Sequence, residues 1–251
     1  MSGLITDELP AFSPNGRPAP RGALVAVCGI CGGAGATTLS YLVARSAARA
    51  GGEPVLVCDL GGVRADLAEC AGVESSLSLP ALANAVGAGD DPIEAVFAHG
   101  GDGLRVLARG PRFEAPLDSG GMVRVLQQAR EAHGFTVVDC GVPVGNCEEI
   151  VLAAATHLIW VLPARPGTAR RARRLLALFP GDAAREEIVV AREDRQAVSK
   201  ASTEDLAELA AGRHAPLVLM PHVADIGEKG PEQGLEVAGL SLDAIRAVLD
   251  R

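Results

Sequence analysis

This chain is short of positive charge. Across 251 residues, 23 Lys and Arg stand against 31 Asp and Glu, a formal net charge of −8 at pH 7. A protein that coats nucleic acid without regard to sequence usually carries the opposite sign, so general DNA binding is disfavoured. Long apolar runs are also missing. None approaches the ~18 residues of a membrane span, and the opening residues do not read as a signal peptide. No integral membrane segment is expected, and the chain reads as cytoplasmic. No internal repeat is present. His99, His133, His157, His214 and His222 show no metal-ligand spacing. Ser40 and the Thr37-Thr38 pair have no base nearby in sequence, so no catalytic nucleophile is assigned.

What is present is apolar. Hydrophobic residues make up 48% of a chain long enough for one large α/β domain. Residues 1–21 read as a flexible segment, with Pro10, Pro14, Pro18 and Pro20 set among Ser13, Asn15, Gly16 and Arg17. Residues 22–251 read as a single domain. Short apolar runs predict strands at 23–28, 54–58, 104–107, 135–139, 157–162, 187–191 and 216–219. Helical spacing predicts helices at 36–50, 64–71, 78–86, 117–133, 146–155, 167–179, 202–211 and 241–250. Nearly continuous apolar strands alternating with helices predict a doubly wound, mostly parallel sheet flanked by helices.

Ligands in such folds sit beyond the carboxyl ends of the strands. The first strand runs into Cys28-Gly29-Ile30-Cys31-Gly32-Gly33-Ala34-Gly35-Ala36-Thr37-Thr38, which has the glycines and threonines of a phosphate-binding loop without its lysines. Two other strands end in carboxylates, Asp59 and Asp139. A carboxylate at the end of a buried strand is costly unless it meets a cation, a donor or water. Two of them beside such a loop suggest the edge of a Mg²⁺-nucleotide site, against the plainer reading that they cap the following turns.

On these residues the chain resembles the ParA/MinD family of deviant-Walker P-loop ATPases, from Ala23 onward, and within it the CpaE/TadZ branch that positions pilus machinery. The family loop reads Lys-Gly-Gly-x-Gly-Lys-Thr-Thr, and here Cys31 and Ala36 replace both lysines. The resemblance implies ATP or ADP with Mg²⁺ as the possible cofactor. Gly32, Gly33, Gly35, Ala36, Thr37, Thr38, Asp59 and Asp139 would form the nucleotide site, and Thr37 and Asp139 would hold Mg²⁺. It also implies a homodimer, protein partners of a pilus, secretion, septum or plasmid positioning system, and peripheral placement at a pole or septum through a partner.

The departures from that pattern point one way. Asp59-Leu60-Gly61 lacks the family's second carboxylate, and Asp66 would substitute only if the chain folded back. Ala191 stands where the family's adenine-reading Asn is expected. A charge-assisted hydrogen bond is worth about 1.5–3 kcal/mol, and losing one transition-state donor costs roughly 100- to 1000-fold in rate. Losing two lysines and a carboxylate should bring hydrolysis to background, although such losses do not simply add. The expectation is a non-hydrolysing scaffold or localisation factor. One alternative is a weak ATPase in which Arg64 or an arginine from 165–174 supplies the missing charge.

Two further constellations remain. Cys28 and Cys31 form a CxxC pair, and with Cys58, Cys140 and Cys147 they raise a second alternative, a cysteine-based metal or redox module. The plain reading is reduced packing residues. Arg165, Arg170, Arg171, Arg173 and Arg174 form the densest basic run, and helical spacing puts Arg170, Arg173 and Arg174 on one face. This is either a solvated face or a contact for a partner, a nucleotide or DNA, and the family resemblance, in which this helix can join the dimer surface, adds an acidic partner surface. Residues 240–251 are weakly amphipathic without excess positive charge, which suits a packed terminal helix better than a membrane anchor.

Overall fold

The computed structural model describes residues 22–60, 67–74, 79–87, 97–108, 118–182, 184–193, 200–223 and 226–250. The expected flexible segment 1–21 lies outside the described residues, as do Arg64 and Asp66. The chain enters at β1 (Ala23–Gly29), α1 (Ala36–Ala50) and β2 (Val55–Asp59). It continues through α2 (Leu67–Ala71), α3 (Leu79–Gly87), β3 (Ala98–His99), β4 (Leu104–Leu107), α4 (Ser119–Ala132) and β5 (Phe135–Gly141). Then come α5 (Asn146–Ala154), β6 (His157–Pro163), α6 (Thr168–Leu176) and β7 (Glu186–Arg192). It closes with α7 (Lys200–Ala211), β8 (Leu217–Met220), α8 (Ile226–Lys229) and α9 (Pro231–Leu249).

These strands make an eight-stranded sheet in the order β3-β4-β2-β5-β1-β6-β7-β8. Every pairing is parallel except β3 with β4. The doubly wound, mostly parallel architecture expected from the apolar runs is therefore present. Its two faces follow from side-chain alternation along each strand. On β1, Leu24, Ala26 and Cys28 point into one core with Met122 of α4, Trp160 of β6 and Leu206 of α7. Val25 and Val27 point into the other, with Leu39 and Leu42 of α1 and Ile245 of α9. β1 lies between β5 and β6. The chain leaves β1 toward β2 on one side and crosses from β5 to β6 on the other, so the β1–β5 boundary is the switch point where such sheets bind ligands.

The terminal helix departs from expectation. Instead of 241–250 it spans Pro231–Leu249, with Pro231 in its first turn and Gly230 before it at φ 79°. Gly234 and Gly239 weaken the helical signal, and Gly234 has a packing reason. A Cβ there would sit 3.1 Å from Leu42 Cδ2 of α1. Ala238, Leu242, Ile245, Val248 and Leu249 are buried, so the apolar side of α9 is used up in the core. None of the described helices is long and apolar enough to cross a membrane.

One buried ion pair fixes the region that carries the basic helix. Arg213 forks onto Glu187, with Nε 2.6 Å from Oε2 and Nη2 2.8 Å from Oε1. It also donates to the Phe179 carbonyl at 3.1 Å and lies 5.8 Å over the Trp160 ring. The end of α6, the start of β7 and the turn after α7 thus meet at one guanidinium. Replacing Arg213 by Ala leaves a buried carboxylate without its partner and should cost about 3–5 kcal/mol in urea unfolding. Arg173→Ala, which removes only the exposed pair with Glu208, should stay within about 1 kcal/mol. Equal losses would contradict this account of α6.

Candidate functional site

The loop between β1 and α1 is shaped by backbone. Gly33 and Gly35 sit at φ 74° and 99°, where a side chain is strained. The loop closes on itself through Ala34 N to Cys31 O at 3.2 Å and joins the sheet through Ile30 N to Val161 O at 3.0 Å. Gly35 precedes α1 without a side-chain cap, and the first turn carries no acidic residue. The first backbone N–H groups of α1, at Ala36, Thr37 and Thr38, have no helical partner. With the turn before them they form an anion nest. Gly32 stands at the exposed outer rim of the loop.

The expected metal ligands meet. Thr37 Oγ1 donates to Asp139 Oδ2 at 2.5 Å, and Asp139 Oδ1 accepts from Gly141 N at 3.1 Å. Asp139 and Asp59 are both fully buried and are register partners on neighbouring strands. One hydroxyl and one carboxylate suit Mg²⁺, which takes few protein ligands and completes its shell with phosphate and water. Ala36 is 7% exposed and offers a methyl group where the phosphate-binding lysine of the pattern would stand. The chain has only two lysines, Lys200 and Lys229. A general preference for arginine would put Arg at 31 and 36, however, and these positions hold Cys and Ala. Ser40 Oγ bonds back to the Ala36 carbonyl at 2.9 Å and is spent inside the helix.

One residue at the loop was missed from sequence. Arg192, the last residue of β7, donates from Nη2 to the Gly33 carbonyl at 2.8 Å. A Cβ on Gly35 would lie 3.1 Å from its Cδ. Arg192 thus holds the outside of the loop, by a carbonyl rather than by the inward N–H groups. Its place at a strand's carboxyl end, directly after Ala191, was the available signal.

No family model matches the sequence, and no curated protein matches it either. Solved structures do match. A ParA family ATPase from Chlorobium tepidum TLS aligns with TM-score 0.73 at 19% identity, over 89% of this chain and 97% of that one. The MinC:MinD cell division complex of Aquifex aeolicus aligns with TM-score 0.69 at 19% identity, over 91% and 97%. The chain has the ParA/MinD fold. A septum site-determining MinD complexed with Mg-ADP, from Pyrococcus horikoshii OT3, aligns with TM-score 0.63 at 15% identity, over 89% and 95%. At these identities the likeness establishes the fold alone.

Beside the loop of this ParA/MinD fold lies a cavity of about 610 Å³, lined by Cys31 and Gly32 and by Arg165, Arg170, Arg171 and Arg174. The expected basic face, Arg170, Arg173 and Arg174, lies on α6, and the cavity takes in only part of it. At about 100° per residue, positions 171 and 174 turn to one side of 170, while 173 turns to the other. Arg173 accordingly leaves the cavity and pairs with Glu208 of α7 at 2.8 Å.

The cysteine-based metal alternative is corrected. Among the described residues, no three Cys, His, Asp or Glu side chains are grouped to hold a metal. Cys28, Cys58 and Cys140 are buried packing residues of one core, with Cys31 and Cys147 packed partly buried against it. Burial pushes the Cys58 thiol up. A hydrogen bond with Cys28, followed by burial, raises Cys140. A raised thiol forms little thiolate near neutrality, so iodoacetamide at about pH 8 should label Cys31, Cys70 and Cys147 first. Cys28, Cys58 and Cys140 should react only after denaturation, as read by peptide mass spectrometry. Native labelling of Cys140 as fast as Cys31 would contradict the burial described.

Proposed function

We propose that this chain is a scaffold or localisation factor built on the ParA/MinD fold, and that it does not hydrolyse ATP. The observation that carries the reading is the loop itself. Its backbone cradle and its Thr37–Asp139 pair are intact, while Ala36 and Cys31 leave it without either lysine. In phosphoryl transfer the protein contributes mainly position and charge. Position is retained here, and the charge at the loop is gone.

ATP or ADP, if bound, would lay its phosphates on the N–H groups from Gly33 to Thr38, with Mg²⁺ on Thr37 and Asp139. Bound Mg²⁺-nucleotide would supply phosphate charge and a bridging cation. The chain's own part would be to orient that group and close the loop around it. Assembly would then be constitutive rather than timed by hydrolysis. The sequence resemblance to the CpaE/TadZ branch favours placement of pilus or secretion machinery, with septum and plasmid positioning as neighbours. MinD of Aquifex aeolicus is seen in complex with MinC, which supports a partner-binding role for the fold. Peripheral placement in the cytoplasm, through such a partner, follows from that reading.

A second reading has one observation in its favour. The cavity arginines lie beside Cys31 and Gly32, so an atypical ATPase using a substitute cation would draw it from there. Light scattering after gel filtration separates the two. The scaffold reading predicts a dimer whose mass is the same with and without Mg²⁺-ATP. A monomer under every condition would sink it, and a dimer formed only with ATP would favour the second reading.

A further inference from the structure

Among the described residues, the arginine cavity gathers positive charge around a concave space. The side chains of Arg170, Arg171 and Arg174 make no ion pair or hydrogen bond among the described residues, whereas Arg173 on the same helix is paired with Glu208. Among the described residues, no Asp or Glu lines the cavity. Like charges gathered without counter-charge repel one another, and they attract a multivalent anion. Guanidinium groups match phosphate oxygens in geometry and remain charged at any working pH.

The cavity also has an apolar base. Ile30 is 5% exposed, and Pro163 at the end of β6 is buried, while the arginines and Pro166 are exposed around them. At about 610 Å³ it falls within the size range of small-molecule sites. A concave site of this size fits a small organic phosphate better than a flat membrane surface or a protein face.

We propose that this cavity binds a nucleotide-sized organic polyphosphate. Its phosphates lie on Arg170, Arg171 and Arg174, and its apolar part lies against Ile30 and Pro163. The site lies beside the loop and does not use the Thr37–Asp139 pair, so binding needs no Mg²⁺ and no hydrolysis. The inference goes beyond the scaffold reading and stands or falls separately from it.

The test is calorimetric titration of ADP into the full chain in EDTA at low salt. ADP should bind, and Arg170→Ala/Arg174→Ala should weaken it by at least about tenfold. Arg173→Ala removes an arginine of the same helix from outside the cavity and should keep the wild-type affinity. Circular dichroism of each variant checks that it is folded. Absence of ADP binding by the folded wild type would overturn the proposal. So would wild-type affinity in the folded double arginine variant, which would place ADP outside the cavity. A polyglutamate peptide that binds where ADP does not would assign the cavity to an acidic protein segment and overturn it equally.

Discussion

The site depends on one backbone constraint, the passage from β1 to α1. β1 is buried between two parallel neighbours, so the chain must leave it at the carboxyl edge and turn at once into a helix packed on the sheet. Gly33 and Gly35 make that turn at positive φ. The turn sets the first N–H groups of α1 over the sheet edge and puts Thr37 within a hydrogen bond of Asp139 from β5. Arg192 from β7 reaches the same loop from outside. Residues more than 100 positions apart in sequence meet because adjacent parallel strands all end there.

Charge is what the proposed reading turns on. The cradle offers neutral donors for a phosphate, and in the proposed reading it lacks lysines to stabilise charge built up during transfer. Positive charge is instead gathered on the flank, in Arg170, Arg171 and Arg174 of α6, and the buried Arg213–Glu187 pair holds the end of that helix. A neutral nest can still position an anion. Lowering a reaction barrier requires donors aimed at the developing charge, and a methyl group at Ala36 contributes none.

Much of this was legible in the sequence. The strands are short apolar runs buried on both faces, which leave a plain signal, and Asp59 and Asp139 stand out because they end such runs. The loop announces itself through its glycines and threonines. What sequence reading missed depends on contacts rather than on period. The start of α9 was hidden because Gly234 and Gly239 interrupt the helical pattern, while Gly234 is needed where α9 meets Leu42. β3 has two residues, Ala98 and His99, and leaves no run to detect. Arg192 stands just past the expected strand 187–191 and meets Gly33 only through the folded structure. Arg173 does not line the cavity with Arg170 and Arg174 because it pairs with Glu208, an acid 35 residues further on. The cysteines suggested a site by their spacing, and burial in one core explains them instead.

The central claim is that this loop retains position and has lost catalytic charge. The most direct test is phosphate release from Mg²⁺-ATP by the wild type, by Asp139→Ala and by Cys31→Lys/Ala36→Lys. The account predicts that the wild type releases no more than Asp139→Ala and that restoring both lysines raises the rate above that background. Release by the wild type well above Asp139→Ala would contradict it, because some other group of this chain would then be supplying the missing charge.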